Sequence, residues 1–327
     1  MKAAVYYETG GPDVFIYEEV PDPEPRPSGV VVQIGAIGIQ GGDLLHRQGG
    51  VMASNPHVVG YQAAGTIVAV GDKVEGLSEG QRVVATMGFG SHAELASVPA
   101  GACFAIPDNL SIDDAAGIPI EFGTAHDCLF EFGDLQSGET VLIQAGAGGV
   151  GLAAIQLAKA AGATVLATAS SNDRLARLRE YGLDHAINYV ENDVVPEIMS
   201  LTDGKGVNLV VDPVGGPTLE ASIAALAYRG RISWVGQAGR ADANPAVWPI
   251  MQKNGRLSGV FLGAEMAMNP QRTRPMIEAL IARVAAGELK VVVDSVFPLE
   301  DAGAAHAYIE SRQAFGRVLL RPQGAAG

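Results

Sequence analysis

The chain has 327 residues, 48% hydrophobic and 18% charged, and its 36 acidic side chains outnumber 22 basic ones to leave a formal net charge of −14. That length supports about two domains with separate cores, and the acidity excludes nucleic acid as a main partner, because phosphate neutralisation needs a Lys/Arg surface. Cys103 and Cys128 lie outside any C-x-x-C pair and Met1 to Glu8 lacks a signal core and cleavage site, so a cytoplasmic protein whose mature chain begins near Met1 is expected.

Through residue 120, short β-branched runs alternate with Gly and Pro: Val30 to Ile34, Ala64 to Val70, Gln81 to Thr86 and Ala93 to Val98. This is the texture of an irregular antiparallel barrel. Pro21 to Pro27 reads as an extended surface connector. Beyond Pro119, strand and helix patterns alternate. Strands are predicted at Thr140 to Ala145, Thr164 to Thr168, Ala186 to Asn188, Val207 to Asp212, Gly230 to Gly236 and Leu257 to Leu262. Helices are predicted at Leu152 to Ala161, Asp173 to Tyr181, Val194 to Leu201, Thr218 to Ala227 and Pro245 to Asn254. Six strands joined by helices fit a Rossmann-type, doubly wound parallel sheet. The last stretch carries helices at Thr273 to Ala286 and Leu299 to Ser311 and strands at Val291 to Phe297 and Gly316 to Arg321. The expected division is therefore 1–119 with 263–327 for the barrel domain and 120–262 for an inserted nucleotide domain.

Behind the apolar run Val141 to Ala145 stands Gly146-Ala147-Gly148-Gly149-Val150-Gly151. A dinucleotide pyrophosphate needs unpaired backbone N–H groups at a helix N-terminus and glycines that let it approach. A membrane span is the competing reading, and Gln144, Gln156 and Lys159 interrupt it. The second strand ends Ala167-Thr168-Ala169-Ser170-Ser171-Asn172, without the Asp or Glu that accepts ribose hydroxyl bonds in NAD sites about 20 residues past the glycine turn. NADPH is the expected cofactor, with Arg174 and Tyr189 placed to meet the 2′-phosphate; the alternative is that Arg174 belongs to a solvated face with Arg177 and Arg179.

Enzymes of this domain order often hold zinc through a Cys after the first barrel strands and a later Gly-His-Glu. Here those segments read Ala36-Ile37-Gly38-Ile39-Gln40-Gly41-Gly42-Asp43 and Gly60-Tyr61-Gln62-Ala63-Ala64-Gly65, and Gln40 and Tyr61 are poor zinc ligands. No metal site is expected. The six histidines lack metal spacing, no Gly-x-Ser-x-Gly elbow exists, and Cys128 reads as a core residue rather than a nucleophile.

Ala36-Ile37-Gly38, Gly60 to Gly65, Gly80-Gln81-Arg82-Val83, the Gly146 to Gly151 turn, Val211-Asp212-Pro213-Val214-Gly215 and Gly316-Arg317-Val318 resemble the medium-chain dehydrogenase/reductase superfamily, in its zinc-independent quinone oxidoreductase branch close to zeta-crystallin. The resemblance covers nearly the whole chain. It implies an N-terminal GroES-like barrel, an inserted Rossmann domain, NADPH, and a homodimer built through the sheet edge formed by Leu257 to Leu262. By position it implies Thr124 near the nicotinamide, Gly148, Gly149 and Val150 under the pyrophosphate, Ser170, Arg174 and Tyr189 around the adenosine phosphate, and Gly236, Phe261 and Arg317 along the cofactor. The family usually has Asn at Gln40, a bulky pair at Gly41-Gly42 and an aromatic at Leu45, so a wider or differently polar substrate end is expected.

The expected chemistry is hydride transfer to a quinone or a conjugated ketone or aldehyde, with Gln40, Tyr61 and backbone N–H groups meeting the developing oxyanion. Tyr61 has two readings, proton delivery and packing over the cofactor ring. Two rival functions stay open: reduction of an enoyl thioester or other alkene, and NADPH binding without turnover.

Overall fold

The computed structural model describes residues 1–241 and 245–324. Compact contacts divide the chain into Met1–Ile120 with Glu278–Gly327, and Glu121–Ile277, against expected seams at 119/120 and 262/263.

In the first unit, strands β1 (Lys2–Tyr6), β2 (Ile16–Glu19) and β3 (Gly29–Gly38) precede helix α1 (Gly41–Gly49). Then come β4 (His57–Val58), β5 (Gln62–Val70), β6 (Arg82–Thr86), β7 (Leu95–Pro99), β8 (Cys103–Ala105) and α2 (Ile112–Ala115), with α3 (Pro119–His126) crossing the seam. The second unit runs β9 (Thr140–Ile143), α4 (Gly149–Ala160), β10 (Thr164–Ala169), α5 (Asn172–Leu178), β11 (His185–Asn188), α6 (Val194–Leu201) and β12 (Val207–Asp212). It continues with α7 (Gly216–Ala224), β13 (Leu226–Trp234), α8 (Trp248–Gln252), β14 (Arg256–Gly259), α9 (Leu262–Met268) and α10 (Pro270–Ala285). The chain then adds β15 (Val293–Pro298), α11 (Ala302–Glu310) and β16 (Arg317–Arg321) to the first unit.

The first unit is built on a seven-stranded sheet in the order β15-β16-β3-β5-β6-β8, with β7 on β3, and a three-stranded sheet β2-β1-β4. All pairs are antiparallel except β15 with β16. Strand β3 is long enough to pair with β5, β7 and, at Ile37 and Gly38, with β16. Its inward residues Val30, Val32, Ile34 and Ile37 join Ile67, Val83, Val98, Val318 and Leu320 in one apolar core.

That unit also buries polar groups. His92 Nε2 and His306 Nε2 lie 3.1 Å apart, so one ring donates and the other accepts, an arrangement that needs an unprotonated nitrogen. Burial lowers the His92 pKa to about 3 and the His306 pKa well below its usual value. His57 is fully buried, its pKa lowered to about 4 by burial and then by the neighbouring His46, on which its ring stacks at 4.8 Å. Arg47, on α1, is also fully buried and donates to Glu310 of α11.

In the second unit all six strands are parallel, in the order β11-β10-β9-β12-β13-β14. The polarity reverses its winding between β9 and β12, where open sheets bind ligands outside the strand C-termini. The core contains Leu142, Leu166, Ile187, Val210 and Ile232 beneath Leu219 and Ile223 of α7. Strand β13 starts earlier than predicted, at Leu226, through an irregular register and a left-handed Arg229 (φ 60°). Arg231 ties that strand back to the segment before β9, donating to Gly133 O at 2.8 Å, Asp134 O at 3.0 Å and Glu139 Oε1 at 2.7 Å. No helix among the described residues is long and apolar enough to cross a membrane.

Candidate functional site

In the parallel sheet the residues that follow each strand share its carboxyl edge. Gly146 after β9, Ser170 after β10, Tyr189 after β11, Gly236 after β13 and Phe261 after β14 therefore lie along one rim.

The glycine turn has two kinds of glycine. A Cβ on Gly146 would stand 2.8 Å from Ala167 Cβ, and one on Gly151 would stand 2.5 Å from Ala145 O and 2.8 Å from Gly146 Cα. Those two serve the protein's own packing. A Cβ on Gly148 would meet only Ala145 O, at an ordinary 3.5 Å, and Gly148 is exposed at the N-cap of α4. The space over Gly148, beside the first N–H groups of α4 at Gly149, Val150 and Gly151, fits an anionic group of a cofactor.

Behind the turn runs a hydrogen-bond chain that the sequence reading missed. Ala145 holds a left-handed φ of 53°, and its N–H is accepted by Thr168 Oγ1 at 3.1 Å. Thr168 donates to Gln144 Oε1 at 2.8 Å, and Gln144 Nε2 donates to Ser222 Oγ at 3.1 Å. Ser222 donates to Asp212 Oδ2 at 2.8 Å, while Asp212 Oδ1 accepts the N–H groups of Val214 and Gly215 at 2.8 and 2.9 Å. All four side chains are buried. The chain couples the turn after β9 to the turn after β12.

At the end of β10, Arg174 Nη1 donates to Ser170 Oγ at 3.0 Å, and Ser171 caps α5 by accepting the Arg174 N–H at 3.4 Å. The Tyr189 N–H donates to Ala169 O at 3.2 Å, which brings the half-exposed Tyr189 to the same strand end. Asn172 donates to the Glu191 carboxylate at 3.1 Å and accepts from Asn188 at 3.1 Å. Glu191 is a carboxylate of this neighbourhood that sequence reasoning overlooked. Thr124 is buried in α3, Gly236 O accepts the Trp234 indole N–H at 2.7 Å, and Phe261 is 73% exposed ahead of α9.

In the first unit Gln40 is the buried N-cap of α1; its N–H donates to Asp43 Oδ2 at 2.8 Å and its amide to Gly38 O at 3.4 Å. Arg317, on β16, is buried and donates to Ile39 O, next to Gln40. A Cβ on Gly42 would lie 2.0 Å from the Tyr61 hydroxyl oxygen and 3.0 Å from Tyr61 Cζ. The two glycines differ: a Cβ on Gly41 would meet nothing within 4 Å, whereas the space beside Gly42 is taken by the Tyr61 phenol. Gln62 is a clamp, donating to Ala116 O at 2.5 Å and accepting the Ile120 N–H at 2.7 Å. Among the described residues no three His, Cys, Asp or Glu side chains form a metal set, and burial raises the Cys128 pKa.

Residues 149–282 match the family described as Zinc-binding dehydrogenase, and residues 26–108 match the Alcohol dehydrogenase GroES-like domain. The chain is 33% identical to a 2-haloacrylate reductase of a Burkholderia species, covering 98% of this chain and 99% of that protein. It is 32% identical to a quinone oxidoreductase of Pseudomonas aeruginosa, covering 96% and 97%. The solved structure of an Escherichia coli quinone oxidoreductase complexed with NADPH superposes with a TM-score of 0.94 at 30% identity, covering 98% of this chain and all (100%) of that one. With a parallel Rossmann sheet carrying an open glycine turn and a GroES-like unit completed by its last strands, the chain belongs to the medium-chain dehydrogenase/reductase superfamily, as an oxidoreductase alongside its quinone oxidoreductases.

Proposed function

We propose that the protein is a zinc-independent, NADPH-dependent reductase of quinones or conjugated carbonyls. The observation that carries this is the rim of the parallel sheet: an exposed Gly148 with no packing need of its own, followed at the next strand end by Arg174 bonded to Ser170. Gly149, Val150 and Gly151 offer the pyrophosphate their backbone N–H groups at the start of α4, Gly148 leaves room for its approach, and Gly146 shapes the turn, its own N–H already bonded to Thr168 O. Ser170, Arg174 and Tyr189 hold the adenosine phosphate, and Thr124, Gly236, Phe261 and Arg317 line the rest of the cofactor.

When bound, NADPH supplies the hydride. In this reading Gln40 and Tyr61, which stand at the sequence positions where a zinc ligand set is expected, are the candidate hydrogen-bond donors to the acceptor oxygen. Tyr61 and solvent are the two sources for the proton that completes the reduction. Zinc independence rests on the identities of Gln40 and Tyr61 at the expected ligand positions. Two buried free thiols, Cys103 and Cys128, fit a reducing compartment such as the cytoplasm.

Reduction of an electron-poor alkene is the second reading, favoured by the 2-haloacrylate reductase at similar identity and coverage. The deciding experiment follows NADPH oxidation by purified protein with a quinone, an enone and a crotonyl thioester, with and without a chelator. Chelator-insensitive oxidation led by a quinone or enone supports the first reading. Thioester-led oxidation supports the second, and tight NADPH binding with no oxidation leaves the non-catalytic alternative.

A further inference from the structure

Asp127 stands where α3 stops being an α-helix. The Phe132 N–H bonds Asp127 O, five residues back, at 3.0 Å, and Asp127–Glu131 form a π-helical turn, a rare geometry that concentrates at functional sites. The turn is tied to the parallel sheet, because the buried Ser233 of β13 donates to Cys128 O at 2.7 Å. Gly123 and Asp127 are four residues apart and share a face of the helix. A Cβ on Gly123 would stand 2.8 Å from Leu262 Cδ2 at the start of α9, so α3 and α9 are in direct contact there.

Arg272 fastens the same junction. Its Nη1 and Nη2 donate to the two carboxylate oxygens of the fully buried Asp127 at 2.7 and 2.9 Å. Nη2 also donates to Glu265 of α9 at 2.8 Å, and Glu131 lies 3.8 Å from Nη1. Arg272 is the third residue of α10, and a cation in a first turn opposes the helix dipole. The carboxylates it meets, rather than α10 itself, account for a cation at this position. A planar guanidinium can bridge two elements at fixed angles, which an ammonium cannot. One side chain thereby holds the end of α3, which carries Thr124, to α9, which Phe261 directly precedes.

In a doubly wound sheet the two nucleotides of a dinucleotide lie on opposite sides of the switch point. Ser170 and Arg174 follow β10 on one side, while β13, β14 and the residues tied to them fall on the other. We propose that Arg272 is a positioning residue for the nicotinamide half of NADPH: by clamping Asp127 and Glu265 together it fixes the two segments that present Thr124 and Phe261, and it leaves the adenosine half to Ser170 and Arg174. Without the guanidinium, Asp127 is a buried carboxylate stripped of its bidentate partner, and the α3 end and α9 lose their shared anchor. This inference rests on the reductase reading above and adds to it a residue that acts through the cofactor rim.

The test titrates wild type and Arg272→Lys, by calorimetry, with NADPH and with 2′-phospho-ADP-ribose, which keeps the adenosine phosphate and the pyrophosphate but lacks the nicotinamide. Arg272→Lys keeps the charge and loses the fork. Its Kd for NADPH should rise about tenfold, the worth of one charge-assisted bond, while its Kd for 2′-phospho-ADP-ribose stays at the wild-type value. With the best quinone or enone acceptor at saturating NADPH, kcat should fall as well, because a displaced nicotinamide transfers hydride poorly. Should Arg272→Lys fail to fold, Glu265→Gln, which loosens only the α9 arm, decides by the same comparison with a smaller shift in the same direction. Equal weakening of the two ligands overturns the proposal, since it marks general damage to the unit, and so does a folded variant that binds both as the wild type does. Wild-type protein that binds neither ligand, or binds NADPH no more tightly than NADH and oxidises neither, overturns the reductase reading and this inference with it, a result read before any variant is made.

Discussion

Thr168 holds Ala145 in a conformation that alanine rarely adopts: its hydroxyl accepts the Ala145 N–H at 3.1 Å while φ stands at 53°. A left-handed alanine costs roughly 1–2 kcal/mol, and the bond offsets part of that at the residue just ahead of the glycine turn. Thr168→Val removes both bonds of the hydroxyl and leaves the buried Gln144 carbonyl and Ala145 N–H without it, a loss of about 1–3 kcal/mol. Denaturant unfolding should show that loss, and NADPH titration a raised Kd. Thr168→Ser, which keeps the hydroxyl, should restore both, and a valine variant with wild-type stability and affinity would dismiss the role.

Arg174 is the residue we propose for the cofactor preference. Its guanidinium is already steered by Ser170 at 3.0 Å, and a charge-assisted bond to phosphate is worth about 1.5–3 kcal/mol. Arg174→Ala should therefore raise KM for NADPH about tenfold or more while leaving NADH nearly unchanged. Equal effects on the two cofactors would return Arg174 to a solvated helix face.

Acid should unfold the protein through its buried imidazoles. His57, His92 and His306 are all held below their usual pKa, chiefly by burial. The unfolded chain then binds more protons than the folded one below about pH 6.5, so stability is complete above that pH and is lost as pH falls toward 4. Each group contributes up to about 1.4 kcal/mol per pH unit across its own window. Glu139, Asp127 and Asp184 have lowered carboxyl pKa values, which places their loss at still lower pH. A Tm that falls steadily from pH 7 to 5 is expected; a flat Tm over that range would contradict the buried neutral histidines.

The open edge of the parallel sheet predicts self-association. Strand β14 ends the sheet, and Trp248, Met251 and Phe261 around it are 63%, 56% and 73% exposed. An apolar surface beside an unpaired strand marks an interface. Light scattering should give a dimer mass for the wild type and a monomer mass for Trp248→Glu. A wild-type monomer at micromolar concentration would remove the proposed homodimer.

Much of the Rossmann unit was legible because its strands are buried on both faces and read as short apolar runs, such as Val141 to Ile143 and Leu209 to Val211. The sequence also marks the end of β10, where Arg174 bonds Ser170, because that strand end follows the glycine turn at a regular spacing. Helix α1 was not: Gly41-Gly42 reads as a break, and the start depends on Asp43 turning back to Gln40. Arg47 looks like a solvated helix charge until Glu310, far along the chain, is folded against it. The chain through Gln144, Thr168, Ser222 and Asp212 draws one member from each of four segments, so no local pattern announces it. The fit of Tyr61 against Gly42 is a contact between a side chain and a missing one, which only coordinates display.

The arrangement of β16 beside β3 has a consequence for biogenesis. Leu319 and Leu320 pair with Gly38 and Ile37, and His306 and Glu310 reach back to His92 and Arg47. The N-terminal unit thus emerges from the ribosome early but waits for the final fifty residues, Glu278–Gly327, to seal one flank of its longest strand. During that wait the entire intervening segment can collapse on its own parallel sheet, while Ile37 and Gly38 lie bare to other nascent chains. Premature termination after α10 would therefore yield a molecule with a finished nucleotide-binding unit and an adhesive, unfinished barrel.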